Sequence, residues 1–219
     1  MKYKLTKNTK EIYGITLYQI QALNDFGNVK KGDLGGWIEK EKNLSQEDNC
    51  WVFGDALVYS NALVFSNAWV FGDAEVFGNA EVYGDAEVFG NAKVCGNALV
   101  YSNAKVYSNA KVYGDAEVFG DAEVYGDADV FGNADVFGNA KVFGDAEVFN
   151  NAKVCGNAKV CDAEVCGNAV DKPKEEIKSE YICEDDFQRI ISGDVNEVIV
   201  DGVKYKKVAQ TITSWRKIS

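Results

Sequence analysis

Six thiols (Cys50, Cys95, Cys155, Cys161, Cys166 and Cys183), 34 carboxylates and 11 tyrosines carry most of the reactive chemistry in this 219-residue chain, which has no histidine. The commonest general base and the commonest metal ligand are therefore both missing. Proton transfer or metal binding would fall to carboxylates, thiols and phenols. The cysteines lack the paired C-x-x-C spacing of a zinc site and read as thiols in a reducing compartment. Aspartates recur in phase, Asp55 with Asp73 and Asp127 with Asp145, and such stacked pairs have the oxygen chemistry for Ca²⁺. Asparagine takes the same place in neighbouring repeats, however, and no dense ligand set forms, so no metal or cofactor is expected. Gly32, Gly35 and Gly36 do not have the spacing of a phosphate-binding GxxxxGK[ST] loop and read as part of a cap.

The elements that must position these groups follow from one repeat. From Val52 to Val160 a valine occupies every sixth position, and Val165 follows after a five-residue step. The unit runs Val, aromatic, Gly or Ser, Asn or Asp, Ala, variable. Period six does not fit an amphipathic helix, whose apolar face recurs every 3.6 residues, but it fits a short strand followed by a corner. In Ala74-Glu75-Val76-Phe77 the alternation puts Ala and Val on one face and the charged and aromatic residues on the other. Gly or Ser followed by Asn or Asp supplies the bend.

Val76 with Ala80 four residues later resembles the aliphatic-to-small signature of the hexapeptide-repeat, left-handed parallel β-helix superfamily. The regular Val-x-Gly-Asn/Asp-Ala form is also similar to uncharacterised bacterial and phage repeat proteins. The resemblance covers about residues 48–169. It implies an all-β solenoid of three-sided, 18-residue coils, an interior of Val and Ala, and assembly into trimers. It also implies that relatives include acyltransferases and a zinc-binding branch. Their histidines have no counterpart here and no long loop interrupts the coils, so the chain is expected not to be an enzyme, with a hexapeptide-repeat acyltransferase as a disfavoured alternative.

The ends do not repeat. Residues 1–47 read as a β-rich cap, with strand formers over Tyr13–Leu23 and a short strand at Trp37 and Ile38. Residues 48–169 are the β-helix. Residues 170–219 read as a linker containing Pro173, one or two short helices over Glu175–Ile191, and a hairpin turning at Asp201-Gly202, together a small α+β domain. The step between Cys161 and Asp162 is expected to disturb the register and end the coils.

On 18-residue coils the residues after the valines form three vertical aromatic ladders. One of them, with the tryptophans beside it, is the expected interaction surface: Trp51, Phe53, Trp69, Phe71, Phe89, Tyr107, Tyr125 and Phe143. Three apolar ladders exceed what a monomer commonly exposes, so a homo-oligomer or a protein partner is expected to cover at least one. Along that face Glu87, Lys105, Glu123 and Lys141 alternate in sign and read as a self-paired, solvated row.

With 23 basic against 34 acidic residues the net charge is −11, and direct DNA binding is disfavoured. No basic-then-apolar leader opens the chain and no apolar run is long enough for a membrane span, so a cytoplasmic location without membrane attachment is expected, in the host cell if the protein is phage-encoded. The functional expectation is a non-catalytic oligomeric scaffold or binding protein acting on a host protein. A second expectation, carried by the phage resemblance, is anti-defence sequestration of a small signalling nucleotide.

Overall fold

A computed structural model describes residues 1–167, 170–171, 176–178, 197–200, 203–207 and 215–218. Its body is a parallel β-solenoid of about seven turns with three sheets, in which the central strands pair with the strands 18 residues before and after them. Lys105, for example, sits between Glu87 and Glu123, and Val106 between Val88 and Val124. The three-sided coil that the family resemblance implied is thus the observed one.

Each side is held by the same three backbone donors, all aimed at the following coil. Lys105, Tyr107 and Asn109 donate to the carbonyls of Ala122, Val124 and Gly126 at 2.9, 2.9 and 2.8 Å. Inside, Val and Ala side chains fill a single column and are fully buried through the central coils. Each buried valine is worth about 1.5–3 kcal/mol relative to exposure. The corners need a left-handed residue: Gly84 has φ +72, and a Cβ there would come 2.8 Å from the Ser102 nitrogen one coil on. Ser102 itself holds φ +62 without the glycine's freedom.

The cap is a continuation of the first sheet rather than a separate lid. Strands β1 (Tyr3–Ile12) and β2 (Ile15–Ala22) form a hairpin, and β2 pairs with β3 (Leu34–Ile38). Strand β3 then pairs in parallel with the solenoid through Trp37 with Leu57 and Ile38 with Val58. Leu44 bridges to Val64, so Ile38 and Leu44 take the inward valine places of a coil that precedes the repeat. Gly35 and Gly36 explain themselves here. A Cβ on either would lie 2.6 Å from Val52 atoms, so their role is close approach to the end of the stack.

The five-residue step does not end the coils. Asp162 takes φ +50 at the shortened corner, accepts a 3.0 Å bond from the Asp145 nitrogen, and the pairing resumes as Val148 with Val165. One residue is lost from a corner, where no inward side chain has to move. Pairing continues past residue 169 through Val170–Asp171, which pairs with Lys153–Val154, and Glu176–Lys178, which pairs with Lys159–Cys161. The helix expected from Glu175 therefore starts instead as a strand at Glu176–Lys178, and the rest of that segment lies outside the described residues. The expected hairpin is present, with Val200 opposite Val203, and a further strand, Trp215–Ile218, completes a three-stranded antiparallel sheet. Among the described residues no helix is long and apolar enough to cross a membrane.

Candidate functional site: the aromatic faces

The sheet that begins at Trp51–Val52 carries the expected interaction surface, and the structure brings most of it together. Phe71, Phe89, Tyr107, Tyr125 and Phe143 stack in parallel with ring centroids 4.6, 4.8, 4.9 and 5.0 Å apart. Phe53 leaves the column and meets Trp51 and Trp69 edge-on. Trp51 is fully buried against Tyr3, Phe26 and Phe53, so it belongs to the cap and not to the surface. The remaining rings are half-buried, because each ring hides its faces against the rungs above and below and shows mainly an edge.

The charged row beside the column pairs as the spacing suggested. Lys105 reaches Glu87 at 3.2 Å and Lys141 reaches Glu123 at 2.7 Å. A diagonal contact that the repeat alone did not reveal adds to this: Tyr107 donates from its hydroxyl to Glu123 Oε2 at 2.9 Å. Tyr59 with Glu75 and Tyr101 with Glu117 do the same. The signal was a separation of 16, one coil of 18 less the two-position offset between the aromatic and charged positions. The Lys141 hydrogen bond first, and that of Tyr107 after burial, hold the Glu123 carboxyl below its ordinary range. Burial first, then the bonded carboxylate, pushes the Tyr107 phenol up.

The other two faces are built alike but balanced differently. One has the ion pairs Lys93 with Glu75 at 2.8 Å and Lys111 with Asp129 at 3.3 Å, and the other has Lys153 with Asp135 at 2.7 Å. At the corners, asparagines donate along the axis to the next coil, as in Asn79 to Asn97 and Asn97 to Asp115 at 2.9 and 2.7 Å. An aspartate ends such a run because it accepts but has no amide to pass on. Among the described residues no group of three or more Cys, Asp or Glu is placed to hold a metal ion.

At the capped end the buried Lys2 ammonium donates to the carbonyls of Glu47 and Cys50 at 3.0 and 2.9 Å and lies 3.2 Å from the Cys50 sulfur. Burial pushes that thiol up, against the opposing pull of Lys2. The arrangement is a plug for open carbonyls and not a reactive thiolate. Cys95 has its thiol raised by burial as well. A shallow groove beside Trp69, lined by Asn28, Asn49, Asn67, Asp85 and Glu87, opens between the cap and the first coils.

No family model matches the chain. The chain is 49% identical over 39 residues to a protein of Escherichia coli (strain K12) named "Uncharacterized acetyltransferase YdcK", a match covering 18% of this chain and 12% of that protein. The chain thus matches about an eighth of that relative's length. This likeness overturns the expectation that the chain is not an enzyme. The missing histidine removes one kind of base and leaves carboxylates and tyrosines on the faces.

Proposed function

We propose that the chain is a hexapeptide-repeat scaffold that assembles with copies of itself through the face running from Trp69 to Phe143, leaving its more acidic faces for a protein partner. The observation that carries this reading is charge balance. Along that face Glu87, Lys105, Glu123 and Lys141 cancel, on a molecule whose net charge is −11. The row beginning Glu81, Leu99, Glu117, Asp135 and Lys153 keeps an acidic excess, as does the row Glu75, Lys93, Lys111, Asp129, Glu147 and Glu164. Two acidic rods approach at least electrostatic cost where their charges are already paired, and the stacked ring edges supply apolar contact there.

Native mass spectrometry tests this directly, with Phe89→Glu as the probe, because that ring is half-buried and stacks on its ladder neighbours Phe71 and Tyr107. A discrete oligomer that falls to monomer in the variant, with the β-sheet circular dichroism retained, is the expected result. A monomeric native protein sinks the proposal. A second reading, participation in acetyl transfer, is favoured by the segment shared with the acetyltransferase-named protein. Release of free coenzyme A from acetyl-coenzyme A with a panel of amine and hydroxyl acceptors would support it, and no release across the panel would count against it.

A further inference from the structure

One ladder is missing a ring. On the face that begins at Leu57, Tyr59 stacks on Phe77 at 5.1 Å, Tyr113 stacks on Phe131 at 4.9 Å, and Phe131 on Phe149 at 5.1 Å. Between Phe77 and Tyr113 the ladder position is Cys95, whose strand lies in register between theirs, with Val94 beside Val76 and Val112. Phe77 and Tyr113 are thus two rungs apart, roughly 9.7 Å at the spacing of a parallel sheet. A flat ring placed outward of the Cys95 side chain would have the ladder's ordinary stacking distance on each side. Other cysteines take ladder positions at Cys155, Cys161 and Cys166, but Cys95 alone is bounded by an aromatic residue in both neighbouring coils among the described residues.

The diagonal rule says what the tip of such a ring would meet. Tyr59, Tyr101 and Tyr107 each reach the outward residue 16 positions on, and in each case it is a carboxylate that accepts a hydrogen bond from the phenol. From Cys95 the corresponding residue is Lys111. Its ammonium is a donor, half-exposed, and held by Asp129 only through long contacts of 3.3 and 3.4 Å. Lys93, on the same rung as the gap, is already paired with Glu75 at 2.8 Å, so Lys111 is the ammonium that recognises the ligand. The gap also lies at the edge of the cap: Ile12 and Ile15 of the hairpin pack on the cluster of Leu17, Leu57 and Tyr59 together with Phe77, and Cys95 is one coil farther on. The hairpin tip, Tyr13, is exposed.

We infer that the gap at Cys95 is a binding slot for a flat aromatic anion, an aromatic carboxylate, with its ring between Phe77 and Tyr113 and its carboxylate on Lys111. Flatness is read by the two ring walls and charge by the lysine, in a place where every built ladder neighbour uses a neutral ring. The thiol takes no chemical part and serves by being small.

Benzoate is the probe, followed by calorimetry and by saturation-transfer NMR on the intact protein. Binding is expected for benzoate and weaker binding for cyclohexanecarboxylate, which has the charge without the flat ring, and for benzamide, which has the ring without the charge. Cys95→Phe supplies the missing rung and is expected to remove binding while raising the melting temperature. Lys111→Met is expected to weaken binding roughly ten- to hundredfold through loss of a charge-assisted contact. Cys95→Ser, which keeps the slot open, is expected to bind as the native protein does. The inference is overturned if benzoate does not bind, if Cys95→Phe binds it unchanged, or if cyclohexanecarboxylate binds as well as benzoate.

Discussion

The capped end and the middle of the solenoid use the same residue types to opposite effect. In the middle, rings from Phe71 to Phe143 lie parallel, lysines pair with carboxylates one coil away, and each contact is repeated by translation. At the end, Trp51 is boxed edge-on by Tyr3, Phe26 and Phe53, and the lysine that matters, Lys2, is buried on backbone carbonyls. The middle coils have a neighbour on both sides to satisfy them. The first coil has none on its outer side, so distant chain must fold over it. In a solenoid, then, stability in the middle comes from nearest neighbours and stability at the end from a specific plug.

The hardest blow to that contrast is Val106→Asp. It places an unpaired charge in the dry column between Val88 and Val124, and a loss above about 4 kcal/mol is expected, read as loss of the cooperative transition in denaturant. Lys2→Met separates end from middle. Freeing the carbonyls of Glu47 and Cys50 is expected to cost about 1–3 kcal/mol, with faster hydrogen exchange confined to the cap and first coil. Exchange accelerated equally in the central coils would contradict the nearest-neighbour account.

The smallest effect concerns the half-exposed pair of Glu123 and Lys141. Glu123 is held below its ordinary value, so its share of stability is present above the unfolded carboxyl range and is lost as pH falls through the lower, folded one. Lys141→Met is expected to flatten that acid branch by about 0.2–1 kcal/mol, the range of screened surface pairs. At the other limit, Tyr83, Tyr101, Tyr107 and Tyr113 are all raised above the ordinary 10.0, burial being the first cause in each. Their stability contribution is intact below pH 10 and is lost as pH rises, a curve readable from phenolate absorbance against unfolding.

The repeat made the middle legible. Because each coil is its neighbour moved by one rung, a spacing of 18 in sequence is a contact in space, and the inward valines, the stacked rings and the alternating ion pairs could be read directly. The candidate surface was legible to the same extent, except at Trp51, where the cap lies over it. The diagonal from Tyr107 to Glu123 was also fixed by spacing, but it needed the lean of the ring across the rung, which residue order does not contain.

What the sequence determined by itself was therefore the phase: which residues face in, which face out, and which stack. Tertiary structure decided the exceptions. Lys2 meets Cys50 across 48 residues, Gly35 and Gly36 close on Val52, and the lost corner residue at Asp162 is absorbed without shifting a valine. These contacts form where translation fails, at an end or at a broken step. There the partner is set by which segment can reach and satisfy the exposed groups, and no period in the sequence encodes that.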